Sequence, residues 1–529
     1  MRLNLEALQH LPAGYQAPAY DVRAMRRATA EAPVWVHFGA GNIFRMFPAA
    51  MQQTLLDKGL AQSGIIVCES YDEELIDAVF APYDNLTAAV TLKADGGMEK
   101  TVVASIAEGL AASKSAARLA EVFANPSLQM VSFTITEKGY NVRGADGAAL
   151  PFIQRDMEAG PANVQSLMGL VARLALVRYR AGRLPVAFVS MDNCSHNGDK
   201  LKAAVLCIAE AWCAAGFAEA GFMAYLGDPA FVGFPLSMID KITPRPSEAV
   251  RGILEADGFT DAGAVVTEKG TYAACFVNGE EAGYLVIEDV FPGGKPPLEA
   301  AGVIFTSRET VDKVEKMKVC TCLNPLHTVL AVFGCLLGYG SIAEEMADPL
   351  LRALVERIGY DEGLPVVVDP GIIDPKAFID EVIGKRFPNP FVPDTPQRIA
   401  CDTSQKIPVR FGETLKAYAA AGKDLAELTY IPLFFAGWLR YLLAVDDAGA
   451  AFEPSPDPML TVLREALREV AFGGGGYVEA LYPLLANKDI FGVDLVAHGV
   501  AAKVVGYFER MNAKRGAVAE VLGQVLGEV

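Results

Sequence analysis

Within the stretch EKMKVCTCLNPLHTVL, Glu315 to Leu330, a lysine, an asparagine and a histidine follow one another at short spacing. Lys318, Asn324 and His327 are the residue types that an alcohol-oxidising centre needs. Moving hydride off a carbon requires a group to take the hydroxyl proton and donors to hold the oxygen as charge develops on it. Lysine serves as that base when burial or neighbouring positive charge lowers its pKa. Asparagine amides are neutral oxyanion donors. A second amide, Asn193, closes the apolar run PVAFVSMDN at 185–193.

The same stretch carries Cys320 and Cys322, which raises a metal site as the rival chemistry. Their spacing is not the C-x2-C of structural zinc sites. On a helix, residues two apart face different directions and cannot easily grip one ion. The reading is therefore no metal, with the cysteines as small apolar packing residues.

Those residues need a scaffold, and the first half of the chain alternates short apolar runs with helix-compatible segments. VWVHFGAG (34–41), GIIVCES (64–70), MVSFTITEKGY (130–140) and PVAFVSMDN (185–193) read as strands of a buried, mostly parallel sheet covered on both faces. The first run ends in Gly39-Ala40-Gly41 before helix-compatible residues that include Asn42 and Arg45. Glycines at such a strand-to-helix turn let a pyrophosphate approach the backbone and sit on the helix N-terminus. The third glycine of the usual fingerprint is absent, and Arg45 stands one position past its place. Glu69, ending the second run, stands where an acid would bind an adenosine ribose, which favours NAD over NADP. A methyltransferase also combines a glycine-rich turn with an acid after the second strand, so the turn alone does not name the reaction. Past the Pro/Gly-rich passage at 289–302 nearly every segment has helical character. The expected organisation is a Rossmann-like α/β dinucleotide-binding domain over 1–295 and a mainly helical substrate-binding and catalytic domain over 296–529.

Composition limits the partners. The chain has 529 residues, 52% of them hydrophobic, with 64 acids against 46 bases and a net charge of −18. That balance argues against nucleic acid or an anionic membrane surface as partner. Nine scattered cysteines read as reduced thiols of a cytoplasmic protein. The first residues lack the apolar core of a signal peptide. The longest apolar stretch, TVLAVFGCLLGYG, is about 13 residues and is read as too short to span a bilayer.

Taken in order, PAYD (18–21), VHFGAGNIFR (36–45), TITEKGY (134–140), MDNCSHNG (191–198), FPLSMIDKITP (234–244), YLVIEDVFPGGKP (284–296), NPLH (324–327), EEMADP (344–349), RFPNPFVPDTPQRIACDTSQKIP (386–408) and NKDIFGVDL (487–495) form a specific set. With them the chain resembles the polyol-specific long-chain dehydrogenase/reductase family, also called the mannitol dehydrogenase family, over nearly its whole length. The resemblance implies metal-independent, NAD-linked oxidation of a secondary alcohol on an open-chain sugar acid or polyol. It implies Lys318 as general acid/base, Asn193 and Asn324 as oxyanion donors, and His327 as the group orienting substrate hydroxyls. It further implies Glu315 as a gate for proton exchange, Asp240 as an active-site carboxylate, and Arg398 and Lys406 as basic residues bordering the substrate. TEKGY and HFGAGNIFR look closer to the uronate-reductase side. That implies the D-mannonate/D-fructuronate pair, with mannitol or tagaturonate as alternatives.

One departure stands out. The family pattern places four residues between lysine and asparagine, whereas five separate Lys318 from Asn324. At ~100° per residue, Lys318 would lie opposite His327 on a straight helix, and Lys316 within about 20° of it. Geometry on an ideal helix favours Lys316; the Glu-x-x-Lys match favours Lys318. A one-residue π-bulge or break within 319–324 reconciles the match with the spacing, and Lys318 is expected on that basis.

Overall fold

The computed structural model describes residues 1–144 and 146–527. The chain divides into two compact units, Met1–Asp312 and Lys313–Val529. Among the described residues of the first unit, one sheet contains β1 (Trp35–Phe38), β2 (Ile65–Glu69), β3 (Ile106–Ala111), β4 (Met130–Phe133), β5 (Val186–Ser190) and β6 (Val232–Gly233). Its spatial order is 3-2-1-4-5-6 and every neighbouring pair is parallel. This is the doubly wound Rossmann order, in which ligands sit beyond the carboxyl ends of the strands.

The strands are apolar on both faces because both faces are covered. Alternation sends Val36, Phe38, Ile66, Val131 and Phe188 into one layer with residues of the helices Leu167–Arg180 and Asn197–Ala214. It sends Trp35, Ile65, Val67, Met130 and Val189 into the other, against Phe44, Leu55 and Phe80. Register follows from the same packing, with Val36 beside Ile66 on one side and Val131 on the other. β3 is interrupted by Glu108 and β6 is only two residues long, and the alternating segments read from the sequence did not include them.

A smaller sheet joins Ser237–Asp240, Tyr284–Glu288 and Ile304–Thr306, the last two in parallel. Parallel neighbours need a crossover, and the Pro/Gly-rich passage at 289–302 provides it. That passage therefore lies inside the first unit, which runs on to Asp312 rather than ending near residue 295.

The second unit is helical. Tyr430–Leu442 is buried along its whole length, and Ala501–Asn512 packs against it. The helical run Arg308–Leu337 is long and apolar enough to cross a membrane by length and composition, contrary to the count of uninterrupted apolar residues. Its apolar window is 78% buried, which makes it a core helix.

Three helices in this unit widen into π turns, at Lys318–Cys322, Arg357–Gly363 and Val382–Arg386. Such turns accommodate one extra residue in a helix and are frequent at functional sites. Glu362, inside the second of them, accepts the N–H groups of Thr429, Tyr430 and Ile431 at 2.5, 2.8 and 2.7 Å. It thereby caps the start of the Tyr430–Leu442 helix, where the backbone dipole favours an anion. Replacing Glu362 by alanine strands three buried donors and is expected to cost about 3 kcal/mol. The check is the urea midpoint of the full chain; an unchanged midpoint would show that the cap contributes nothing.

Candidate active site

In the first unit, the end of β1 makes a turn that only glycine fits. Gly39 has φ +107°, and a Cβ there would stand 2.2 Å from the carbonyl oxygen of Thr134 at the end of β4. Gly41 differs: nothing lies within 4 Å of where its Cβ would be. It opens the helix Asn42–Met46, whose first N–H groups have no partner within the helix itself. An open backbone at a helix start fits a pyrophosphate.

Glu69 ties this turn to the next strand. Its Oε2 accepts the Ala40 N–H at 2.8 Å, and its Oε1 accepts those of Ser70, Tyr71 and Asp72 at 2.9, 2.8 and 3.2 Å. The carboxylate stands at the end of β2, the position that meets an adenosine ribose in this fold, and Oε2 retains acceptor capacity beyond Ala40.

Arg45 has to be corrected. Its side chain is fully buried, with Nη1 donating to the Ala274 carbonyl at 2.7 Å and Nη2 to Asn42 Oδ1 at 2.8 Å. Burial lowers its guanidinium to about 10. It presents no surface to a phosphate and serves as an internal brace for the turn. Asn42, through the same bond, is part of that brace, with its amide nitrogen left over for other contacts.

At the far end of the strand edge, Asn193 follows β5 and is exposed in the SMDN segment. The residue before it does unexpected work. Asp192 accepts the N–H groups of Ile135 and Thr136, both at 2.9 Å, and the Tyr140 hydroxyl at 2.6 Å. Tyr140 also meets Ser190 Oγ at 2.7 Å. Asn197 donates to the Asp192 carbonyl at 3.0 Å, and the Cys194 N–H donates to the same carbonyl at 2.9 Å, so the backbone around Asn193 is anchored at Asp192. Thr136 is held at φ +65°, a conformation that non-glycine residues adopt only when their surroundings impose it. Sequence reading missed Asp192, although it stands beside a candidate residue, because its partners lie some fifty positions away. Asp240 is buried at the end of the strand Ser237–Asp240, opposite Tyr284.

The helix Arg308–Met317 passes into the π turn Lys318–Cys322 of the second unit, with the Leu323 N–H donating to the Lys318 carbonyl at 3.1 Å. Regular helix resumes at Asn324. The surplus residue is taken up where the spacing required. Absorbing one residue brings Lys318 to roughly 80° from His327 rather than opposite it. Lys318 is 2% exposed, Glu315 is half-buried, and Lys316 is exposed. Burial pushes the Cys320 and Cys322 thiols up to about 12, so both stay protonated.

His327 lies against the Phe387 ring at 5.2 Å. Its Nε2 is 3.6 Å from Asp394, too far for a hydrogen bond, and has no hydrogen-bond partner among the described residues. Burial, then the positive charges of Arg410, Arg398, Arg386 and Lys406, push the imidazole down to about 3. It is neutral at ordinary pH, with one ring nitrogen free to donate and the other to accept. Arg398 pairs with Asp394, and Lys406 donates to the carbonyls of Ile399 and Cys401, the first at 2.9 Å. Burial, then Arg410, lowers the Lys406 ammonium to about 8. Arg410 donates to the Asn324 carbonyl at 3.2 Å and the Thr328 hydroxyl at 2.5 Å. The expected Arg398 and Lys406 thus fall in one cationic group around His327. Arg386, Arg410 and Asp394 complete that group and were not singled out from sequence.

A Rossmann sheet with a glycine turn after β1 and an acid closing β2, followed by a helical unit, has the architecture of a dinucleotide-binding protein. Comparison with known proteins identifies which kind. Residues 34–300 match the model of the mannitol dehydrogenase Rossmann domain, and residues 310–512 that of the mannitol dehydrogenase C-terminal domain. The chain belongs to the mannitol dehydrogenase family of oxidoreductases. It is 50% identical to a D-mannonate oxidoreductase of Thermotoga maritima, over 100% of this chain and 99% of that one. Among solved structures it resembles Pseudomonas fluorescens mannitol 2-dehydrogenase in ternary complex with NAD and D-mannitol, at 27% identity and TM-score 0.71, covering both chains fully. It also resembles a substrate-free D-sorbitol dehydrogenase, at 25% identity and TM-score 0.82, over 98% of this chain and 100% of that one.

Proposed function

We propose that this protein interconverts D-mannonate and D-fructuronate with NAD as redox partner, acting in the cytoplasm. The observation that carries the substrate is the cationic group of Arg386, Arg398, Lys406 and Arg410 around a neutral His327. Asp394 already pairs with Arg398 in that group; a hexuronate brings a carboxylate that such a basic setting favours, and a neutral polyol brings none. Half of the residues are shared with a relative named for mannonate oxidation, which supports the same choice.

The roles follow from residue chemistry. Lys318 Nζ takes the proton from the substrate hydroxyl as the carbonyl forms, and returns it to the ketone oxygen in the reverse direction. Asn324 donates its amide N–H to that oxygen while it carries negative charge, the role that the family resemblance also assigns to Asn193. Neutral His327 donates to or accepts from a neighbouring substrate hydroxyl and fixes the chain of the sugar. Glu315, half-buried three residues before the lysine, exchanges the proton with solvent. Gly41 and the helix start at Asn42 hold the pyrophosphate, and Glu69 meets the adenosine ribose. NAD, when bound, supplies the acceptor for the hydride. No step calls on a metal.

Fructuronate, tagaturonate and fructose, offered in parallel with NADH, test the assignment. Fructuronate is expected to exceed fructose in kcat/KM by about a hundredfold, the value of one well-formed charge-assisted contact. Activity on fructose alone would refute the reading, and a preference for tagaturonate would move it to the epimeric acid.

A further inference from the structure

The π turn that carries Lys318 leaves a backbone group without a donor, and a side chain from elsewhere in the same unit supplies it. In that turn the Leu323 N–H reaches back five residues to the Lys318 carbonyl. Continued in this register, the carbonyl of Cys320 would look to Pro325, which has no N–H to give. In an ordinary α register the same carbonyl would look to Asn324, and the orphan would instead be Thr321. The Thr414 hydroxyl donates to the Cys320 carbonyl at 3.0 Å, and Thr414 is 5% exposed. Four residues earlier, Arg410 donates to the carbonyl of Asn324, the first residue of the resumed helix. One bond falls inside the irregular turn and the other just beyond it. The two donors come from consecutive helices, Thr403–Arg410 and Gly412–Ala420.

We propose that Thr414 is a positioning residue for the reaction: it selects the π register over the α register and so sets where Lys318 points, with Arg410 holding the start of the resumed helix at Asn324. A buried carbonyl left without a donor is costly. Removing the hydroxyl therefore takes away the compensation that only the π register needs. The inference rests on the reading of Lys318 as acid/base.

The experiment uses the full chain with Thr414→Val, Thr414→Ser and Lys318→Met. Thr414→Val keeps the shape and loses the hydroxyl. Its kcat is expected to fall about tenfold, with KM for the sugar acid within threefold of wild type. Amide hydrogen exchange across 318–324 is expected to quicken, while the rest of the second unit keeps its protection. Thr414→Ser restores the donor and is expected to recover both readouts. Wild-type kcat and wild-type exchange in Thr414→Val would overturn the proposal, as would a loss that Thr414→Ser does not recover. If Lys318→Met retains turnover, the acid/base reading falls, while the exchange of 318–324 decides the register question by itself.

Discussion

Lys318→Met is expected to lower kcat about a thousandfold, while the Kd for NADH stays within threefold of wild type. Methionine keeps the unbranched apolar stem that fills the buried position and removes only the ammonium group. Lys318 is 2% exposed at the start of a π turn. Lys316, two positions earlier, lies in the last turn of the preceding helix and is exposed. Lys316→Met is therefore the paired control and is expected to keep near-wild-type kcat. NADH binding, followed by nucleotide fluorescence, reports on the first unit and separates loss of chemistry from loss of cofactor. The opposite pattern, with Lys316→Met inactive and Lys318→Met active, would mean that the straight-helix geometry governs in solution and the π turn does not.

Gly39→Ala is expected to be the most damaging single change in the first unit. The new Cβ would meet the Thr134 carbonyl oxygen at 2.2 Å, and the residue would still need φ +107°. Neither term can relax cheaply, because Thr134 closes β4 beside β1 and its hydroxyl meets His37 Nε2 at 2.9 Å. Backbone strain and overpacking together cost about 3 kcal/mol or more. Thermal denaturation should show a lowered midpoint, and NADH titration at least a tenfold weaker Kd. Gly41→Ala isolates the second effect. Its Cβ meets nothing within 4 Å and its φ is −77°. Its midpoint should stay near wild type while NADH binding weakens about tenfold, because the methyl group stands where the pyrophosphate approaches. Equal damage from the two substitutions would show that the turn has one role rather than two.

Much of the candidate site can be read along the chain, and the reasons it can are local. The turn at Gly39–Gly41 follows an apolar run that has no polar face, and such a run places the turn at the end of a buried strand. The difficulty at Lys318 is a matter of counting residues, and counting was enough to expect an irregular turn before Asn324. Arg45 was misread for an equally local reason. Adjacency to a phosphate-binding turn says nothing about which way a long side chain points, and here it points inward to the Ala274 carbonyl. The strand β3 escaped because Glu108 interrupts its apolar run, β6 because two residues are too short to read as a strand, and the unit border because a parallel crossover reads like a linker.

Residue types within one or two turns of chain suffice for the α/β alternation, the glycine turn with its acid on the next strand, and the lysine–asparagine–histidine series. What surrounds those features comes from the packed molecule alone. His327 is neutral because it is buried and because Arg386, Arg398, Lys406 and Arg410 converge on it from later segments. The backbone beside Asn193 is fixed because Tyr140 and the 135–136 backbone bond to Asp192. The π turn has its donor because Thr414 arrives from a helix 94 residues on. Desolvation, convergent charge and the satisfaction of an orphaned carbonyl are properties of packed neighbours, and no spacing along the chain encodes them.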